Sequence, residues 1–169
     1  TGGFTYNSTR PEIYFVIGQL LSKGIDKDNI YNRAFHNYSV NALRFRAHII
    51  ANKMKVVNEL HASYFIVTKE DMHRFHFIKG DLEGVVNSPL QIKGLKLSIS
   101  LREDTERHNL VLVSLRSSNG FHCQPMAVQF FNGGGHADAS GGKLYCSIAE
   151  AEQIVLKALL AFQDELKRK

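Results

Sequence analysis

Apolar residues recur at helical spacing in three stretches near the start of the chain. Ile13, Phe15, Val16, Ile17, Leu20 and Leu21 follow Thr9-Arg10-Pro11-Glu12, a T-x-x-E capping-box pattern with an early proline, and Gly24 can end the run. This predicts a helix over Pro11–Lys23. A shorter helix fits Lys27–His36, and a third fits Val40–Lys53, with Leu43, Ala47, Ile50 and Ala51 on one face. After Met54 the texture changes. Lys55–Leu60 and Ser63–Val67 predict a strand pair turning at His61-Ala62, and Thr68-Lys69-Glu70-Asp71 reads as a capped helix start. Asp81–Leu90 predicts a short helix cut by Pro89. Leu95, Leu97, Ile99 and Leu101 alternate along Leu95–Arg102, which pairs with Leu110–Arg116 through the polar turn Glu103–Asn109 to form a hairpin. Cys123–Phe131 is patterned as a helix, Asn132–Gly142 as a glycine-rich loop and Lys143–Cys146 as a short strand. Ser147-Ile148-Ala149-Glu150 is a second capping box, opening a helix whose stripe is Ile148, Ala151, Val155, Ala158, Leu159, Phe162 and Leu166. Intermingled strands and helices after residue 54 predict an α/β fold, a mixed β-sheet flanked by helices and preceded by a helical segment.

Composition narrows the class. With 44% hydrophobic residues among 169, the chain can bury a core without disulfide or metal staples. Cys123 and Cys146 are too few for a secreted disulfide framework and lie in no C-x-x-C pair, which points to a reducing cytoplasm. No apolar run approaches about 18 residues and no basic-plus-hydrophobic leader opens the chain, so neither a membrane span nor a signal peptide is predicted. The chain opens on Thr1, as a processed protein or an excised piece of a longer one would. Twenty-one Lys+Arg against 16 Asp+Glu leave a net charge of +5, a mild field favouring anionic partners. The basic run Lys167-Arg168-Lys169 ends the last predicted helix, where cations complement the helix C-terminus.

The most specific local feature is the run Asn132-Gly133-Gly134-Gly135-His136-Ala137-Asp138-Ala139-Ser140-Gly141-Gly142. Three glycines permit positive φ and leave no Cβ in the way. Their N–H groups could then converge on an anionic oxygen, with His136 as an added donor. A mobile surface loop with an incidental histidine is the plainer alternative. Arg102 and Arg116 sit near the ends of the two hairpin strands, where guanidinium groups on rigid elements can grip phosphate; Ser117 and Ser118 add hydroxyl donors. The alternative is surface charge, with Arg102 paired to Glu103 or Asp104. His73 and His76 lack companions at metal-ligand spacing, His136-Ala137-Asp138 offers two ligands without a third, and Cys123 beside His122 lacks an orienting pair. No Walker A, G-x-S-x-G or H-E-x-x-H pattern occurs. The chain carries no catalytic constellation of its own.

Several of these segments together resemble the DHH-family phosphoesterases. Thr1-Gly2-Gly3-Phe4 with Tyr6-Asn7-Ser8-Thr9 and Pro11-Glu12 is similar to the segment closing that family's catalytic domain. Glu83-Gly84-Val85-Val86-Asn87 resembles its E-G-L-V-N, Leu101-Arg102-Glu103 its F-R-E, Val113-Ser114-Leu115-Arg116-Ser117 its V-S-L-R-S, and Gly133–His136 with Ala139 and Gly141 its G-G-G-H-x-x-A-x-G. The bacterial nanoRNase and 3′-phosphoadenosine 5′-phosphate phosphatase type is the best match. The resemblance implies that residues 1–37 end a DHH catalytic domain, residues 38–53 form a linker helix and residues 54–169 form a DHH-associated domain. It implies substrate gripping by Arg102, Arg116, Ser117, Gly133, Gly134, Gly135 and His136. It also implies Mn²⁺ in the parent protein, held by aspartates and a D-H-H triplet that this chain lacks, so this chain alone is expected to be inactive.

The expected ligands are short oligoribonucleotides, degraded in the parent to 5′ mononucleotides, or nucleoside phosphates such as 3′-phosphoadenosine 5′-phosphate. A homodimer is compatible with the resemblance. Cyclic dinucleotide hydrolysis is a rival within the family. A non-enzymatic RNA-binding module is a rival from another class, because the tRNA-contacting end of alanyl-tRNA synthetase carries a similar G-G-G-H domain; a purely structural or dimerising domain would bind no nucleotide.

Overall fold

The computed structural model describes residues 8–168, which fall into two compact units dividing between Tyr38 and Ser39. The Thr1–Phe4 and Tyr6-Asn7 parts of the first motif, and Lys169, lie outside the described residues.

The first unit holds α1 (Pro11–Ser22) and α2 (Lys27–Phe35). The expected Thr9 capping box does not close. Arg10 is the N-cap, extended at φ −82° and ψ 123°, without a side-chain cap bond. Pro11 causes this: it takes the first helical position and keeps the residue before it out of the helical region, so Glu12 stands one place too near the cap. In α2 the Asp26 carboxylate accepts the Asn29 N–H at 2.9 Å. Neither helix contains a buried residue.

The second unit starts with α3 (Val40–His48), whose N-terminus is capped by Ser39 Oγ accepting from Ala42 N–H at 3.0 Å. The predicted continuation to Lys53 is present as a π-helical turn, Ile49–Lys53, closed by Met54 N–H donating to Ile49 O at 3.0 Å. The buried face is Ala42, Phe45 and Ile49; Leu43, expected inside, is 61% exposed. The bulky ring decides the orientation, because Phe45 stacks on Phe75 with centroids 4.9 Å apart.

The sheet strands are β1 (Lys55–Val57), β2 (Ala62–Val67), β3 (Leu97–Glu103), β4 (Val111–Ser117), β5 (Gly134–His136) and β6 (Ala139–Leu144). They are ordered β1-β2-β3-β4-β6-β5, and only the β2–β3 pair is parallel. β1 is shorter than expected because Asn58–Leu60 turns into a 3₁₀ helix and His61 takes a left-handed conformation, φ 49°. Between β2 and β3 come α4 (Lys69–Arg74), with the Thr68–Asp71 capping box formed, and a 3₁₀ helix at Val85–Gln91. The sequence pattern predicts a short helix over Asp81–Leu90 cut by Pro89; the helix present is 3₁₀, starts later at Val85, and holds Pro89 inside it. α5 (Gln124–Phe130), α6 (Ile148–Ala161) and α7 (Gln163–Lys167) complete the order. The Ser147–Glu150 capping box opens α6 as predicted, and the single predicted helix breaks at Phe162.

The region expected as a loop over Asn132–Gly142 is instead mostly the β5–β6 hairpin, and of the strand expected at Lys143–Cys146 only Lys143 and Leu144 are strand, the end of β6. Its glycines pair: Gly134 stands opposite Gly141 and Gly135 opposite Ser140. Glycine lowers strand propensity, so the composition reads as loop, but the non-local ladder with β4 overrides it.

Two cores lie on opposite faces of the sheet. Leu97, Ile99, Leu101, Val111, Val113, Leu115 and Leu144 pack under Met126, Phe131, Ala151, Val155, Ala158 and Leu159. On the other face Phe65 and Val67 pack with Phe45, Ile49, Met72, Val85 and Val86. The fold is thus a six-stranded mixed sheet flanked by helices.

Candidate functional site

Side chains alternate across a strand, so the register assigns each residue to a face. β3 and β4 send Leu97, Ile99, Leu101 and Val111, Val113, Leu115 into the first core; Ser98, Ser100, Arg102 and Leu112, Ser114, Arg116 therefore share the opposite face. Pairing carries that face across the hairpin. Arg116 stands opposite Ala139 and Ala139 opposite His136, so Ser98, Arg116, Ala139 and His136 form one row. The next row is Ser100, Ser114, Gly141 and Gly134, and a third is Arg102, Leu112 and Lys143. Two rows bearing cationic or donor side chains thus border a row of serines and glycines. The second core and the Val85–Gln91 3₁₀ helix cover this face on the β2 side and reach over β3 and β4, burying Ser98; over β6 and β5, Lys143 and His136 are exposed.

Among the described residues no carboxylate forms an ion pair with either arginine. Arg102 is half-buried, with its guanidinium 5.3 Å from the centroid of the Phe77 ring, and Arg116 Nη1 donates to Leu115 O at 2.8 Å. Burial pushes the Arg102 guanidinium below its ordinary pKa, partly offset by Asp104. A half-buried cation with no ion pair and only the more distant Asp104 charge to offset burial is costly, and an anionic ligand would reduce that cost. Arg102 and Arg116 stand four residues apart along the ladder and on adjacent strands, about 14 Å between Cα atoms, so their side chains rise from separate rows of the face.

The three glycines have separate reasons. A Cβ on Gly133 would lie 1.9 Å from Gly141 O, and Gly135, at φ +138°, would bring one within 2.7 Å of Ala139 O. Both are needed to build the hairpin. Gly134 has no positive φ, and a Cβ there would meet nothing within 4 Å; it would project into the serine–glycine row. The cradle of converging amides does not form, because successive N–H groups of an extended strand point to alternate edges. What Gly134 provides is open floor.

Of the residues expected to grip substrate, the fold brings Arg102, Arg116, Gly134 and His136 onto one face. Gly133 and Gly135 shape the hairpin that carries His136. Ser117, next to Arg116 in the strand, is buried on the opposite face, where its Oγ accepts the Cys123 N–H at 3.1 Å. Ser100, Ser114 and Lys143 belong to the face and escaped the sequence reading. The signal for them was the polar half of the β3 and β4 alternation, legible only once the open face was known. Among the described residues no three His, Cys, Asp or Glu side chains come together as metal ligands, so the His73/His76 and His136/Asp138 pairs gain no third partner. Among the same residues no helix is long and apolar enough to cross a membrane.

Residues 49–165 match the DHHA1 domain family. The chain belongs to that family. The DHHA1 domain is that of DHH phosphoesterases, which are generally metal-dependent. The chain is 27% identical over 170 residues to the bifunctional oligoribonuclease and PAP phosphatase NrnA of Thermus thermophilus, covering 99% of this chain and 48% of the relative. It superposes with a TM-score of 0.93, at 48% identity, on an exopolyphosphatase-related protein from Bacteroides fragilis, again spanning 99% of this chain and 48% of the other. The chain thus spans about half the length of the relatives it matches.

Proposed function

We propose that this DHHA1 chain is the substrate-gripping part of a phosphoesterase acting on short oligoribonucleotides and on nucleoside phosphates such as 3′-phosphoadenosine 5′-phosphate. The observation that carries this reading is the open sheet face, with Arg102 and Arg116, neither in an ion pair among the described residues, and His136 and Lys143 around a floor of Ser100, Ser114, Gly141 and Gly134. Two arginines rooted about 14 Å apart at their Cα atoms and on separate rows suit a ligand with more than one phosphate. A bare serine–glycine floor leaves room for a sugar or base between them.

In this reading residues 1–37 end the DHH domain, 38–53 link the two, and 54–169 hold the substrate. Manganese, bound by residues outside this chain, would supply the activated water. This chain's own residues bind and orient: Arg102 and Arg116 neutralise phosphate charge at the two ends, His136 donates from the edge, and Gly134 keeps the floor clear. The work takes place in the cytoplasm, on single nucleotides or very short strands.

The test is calorimetry of this chain with the 5′-phosphorylated dinucleotide pApA and with 3′-phosphoadenosine 5′-phosphate, against Gly134→Val. The native chain is expected to bind and the variant, still folded, to lose measurable affinity. Equal affinity in both would remove the face from the site, and preference for a cyclic dinucleotide would move the reading to cyclic dinucleotide hydrolysis. A chain extended by the DHH half is expected to hydrolyse pApA with Mn²⁺, and this chain alone is not.

A further inference from the structure

The hairpin carrying His136 has a two-residue turn, Ala137-Asp138, between paired His136 and Ala139. Two-residue hairpin loops favour turns with positive φ at the first central residue or at both, because those match strand twist. Neither Ala137 nor Asp138 is among the positive-φ residues. A turn of the other hand splays its strands, so its tip needs support from outside, and the segment Ser117–Gln124 provides it.

Four bonds cross between the two. Ser117 N–H donates to Asp138 O at 3.0 Å and Gln124 N–H to Ala137 O at 3.3 Å. His122 Nδ1 lies 2.8 Å from Asp138 Oδ1 and must be the donor, since a carboxylate only accepts. Ser117 Oγ makes a longer bond, 3.4 Å, to the same Oδ1 while accepting the Cys123 N–H at 3.1 Å. The side chains of Ser117, His122 and Asp138 thus form one chain of hydrogen bonds from the start of α5 to the tip of the hairpin.

We infer that Ser117, His122 and Asp138 are positioning residues: together they latch the hairpin so that His136 and Gly134 keep their places in the binding face. The inference rests on the function proposed above for that face. It gives Ser117 a role through Asp138 rather than through the ligand, consistent with its place on the buried side of the sheet. Asp138 works as an acceptor, so an uncharged side chain with an oxygen in the same position should serve.

The experiment measures pApA affinity and amide hydrogen exchange for Asp138→Ala, Asp138→Asn and the milder His122→Ala, which removes one exposed partner and guards against misfolding of the first. Asp138→Ala is expected to weaken binding at least ten-fold and to speed exchange at the Ser117 and Gln124 amides. Asp138→Asn should restore affinity to within about three-fold and restore protection, and His122→Ala should fall between. Lost affinity with unchanged exchange would make Asp138 a ligand contact and overturn the latch. Faster exchange with native affinity would overturn its positioning role, as would an Asn variant as weak as Ala. If the native chain binds no nucleotide, the reading of the face fails by itself; the latch then stands or falls on whether Asp138→Ala loses protection at those two amides.

Discussion

The two faces of the sheet are built from the same strands and differ in what fills the alternate positions. On one, Leu97, Ile99, Leu101, Val113 and Leu115 are at most 3% exposed and close against the α5 and α6 side chains. On the other, the same strands present Ser98, Ser100, Arg102, Ser114 and Arg116, covered by the second core at one end and open at the other. Neighbours one residue apart therefore do unlike work. Leu115 is held by packing, whereas Arg116 is a cation whose chain neighbours supply no counter-charge. The proposed function assigns binding to the open part of the second face and leaves stability to the packed parts, and single substitutions can separate the two.

The largest separation is expected between adjacent glycines. Gly133→Val places a Cβ 1.9 Å from a backbone oxygen and should cost more than about 4 kcal/mol, seen as loss of the cooperative denaturant transition. Gly134→Val, one residue on, should keep that transition, because nothing lies within 4 Å of its Cβ, while losing nucleotide binding. Equal stability of the two variants would break the comparison.

Next is Leu115→Ala against Arg116→Ala. The first removes a fully buried side chain and should cost about 2–5 kcal/mol of folding stability. The second should cost under about 1 kcal/mol in stability and weaken pApA binding by about 1.5–3 kcal/mol, with the loss in the salt-sensitive part measured by titration at two ionic strengths.

The second core has its own charged anchor. Asp71 closes the Thr68 capping box and lies 2.9 Å from Lys53 Nζ at the π turn. Burial alone would raise its pKa, but hydrogen bonds from Lys53 and Thr68 outweigh burial and hold the carboxyl below its ordinary 3.8. A depressed carboxyl stabilises above its unfolded pKa, and that contribution disappears as pH falls through the folded value. Asp71→Asn should therefore cost about 0.5–2 kcal/mol at pH 7, and the gap between native and variant melts should close below about pH 4.

The smallest change in stability belongs to His136→Ala. The residue is exposed at the sheet edge, so its midpoint should stay within about 0.5 kcal/mol of native while pApA affinity falls. An earlier melt with full affinity would make His136 a fold residue instead.

Local chemistry was legible where the cause is local. The Ser147–Glu150 box and the alternation of β3 and β4 stand in the sequence and in the structure alike. The Thr9 box failed for an equally local reason, the proline beside Arg10, which the motif alone underweights. The face of α3 could not be read because Leu43 and Phe45 both suit a core, and only the docking of Phe45 on Phe75 chose between them.

By itself the sequence determined the α/β class, the motifs shared with DHH phosphoesterases, and which residues alternate together within each strand. Tertiary structure decided which residues meet across strands, since pairing far along the chain sets that register. It turned a glycine-rich run into a hairpin, buried Ser117 against the start of α5, and aligned Lys143, Ser100 and Ser114 with the arginines. Period two fixes a side chain's face relative to its own strand; the ladder with β4 decides which of those faces is left open.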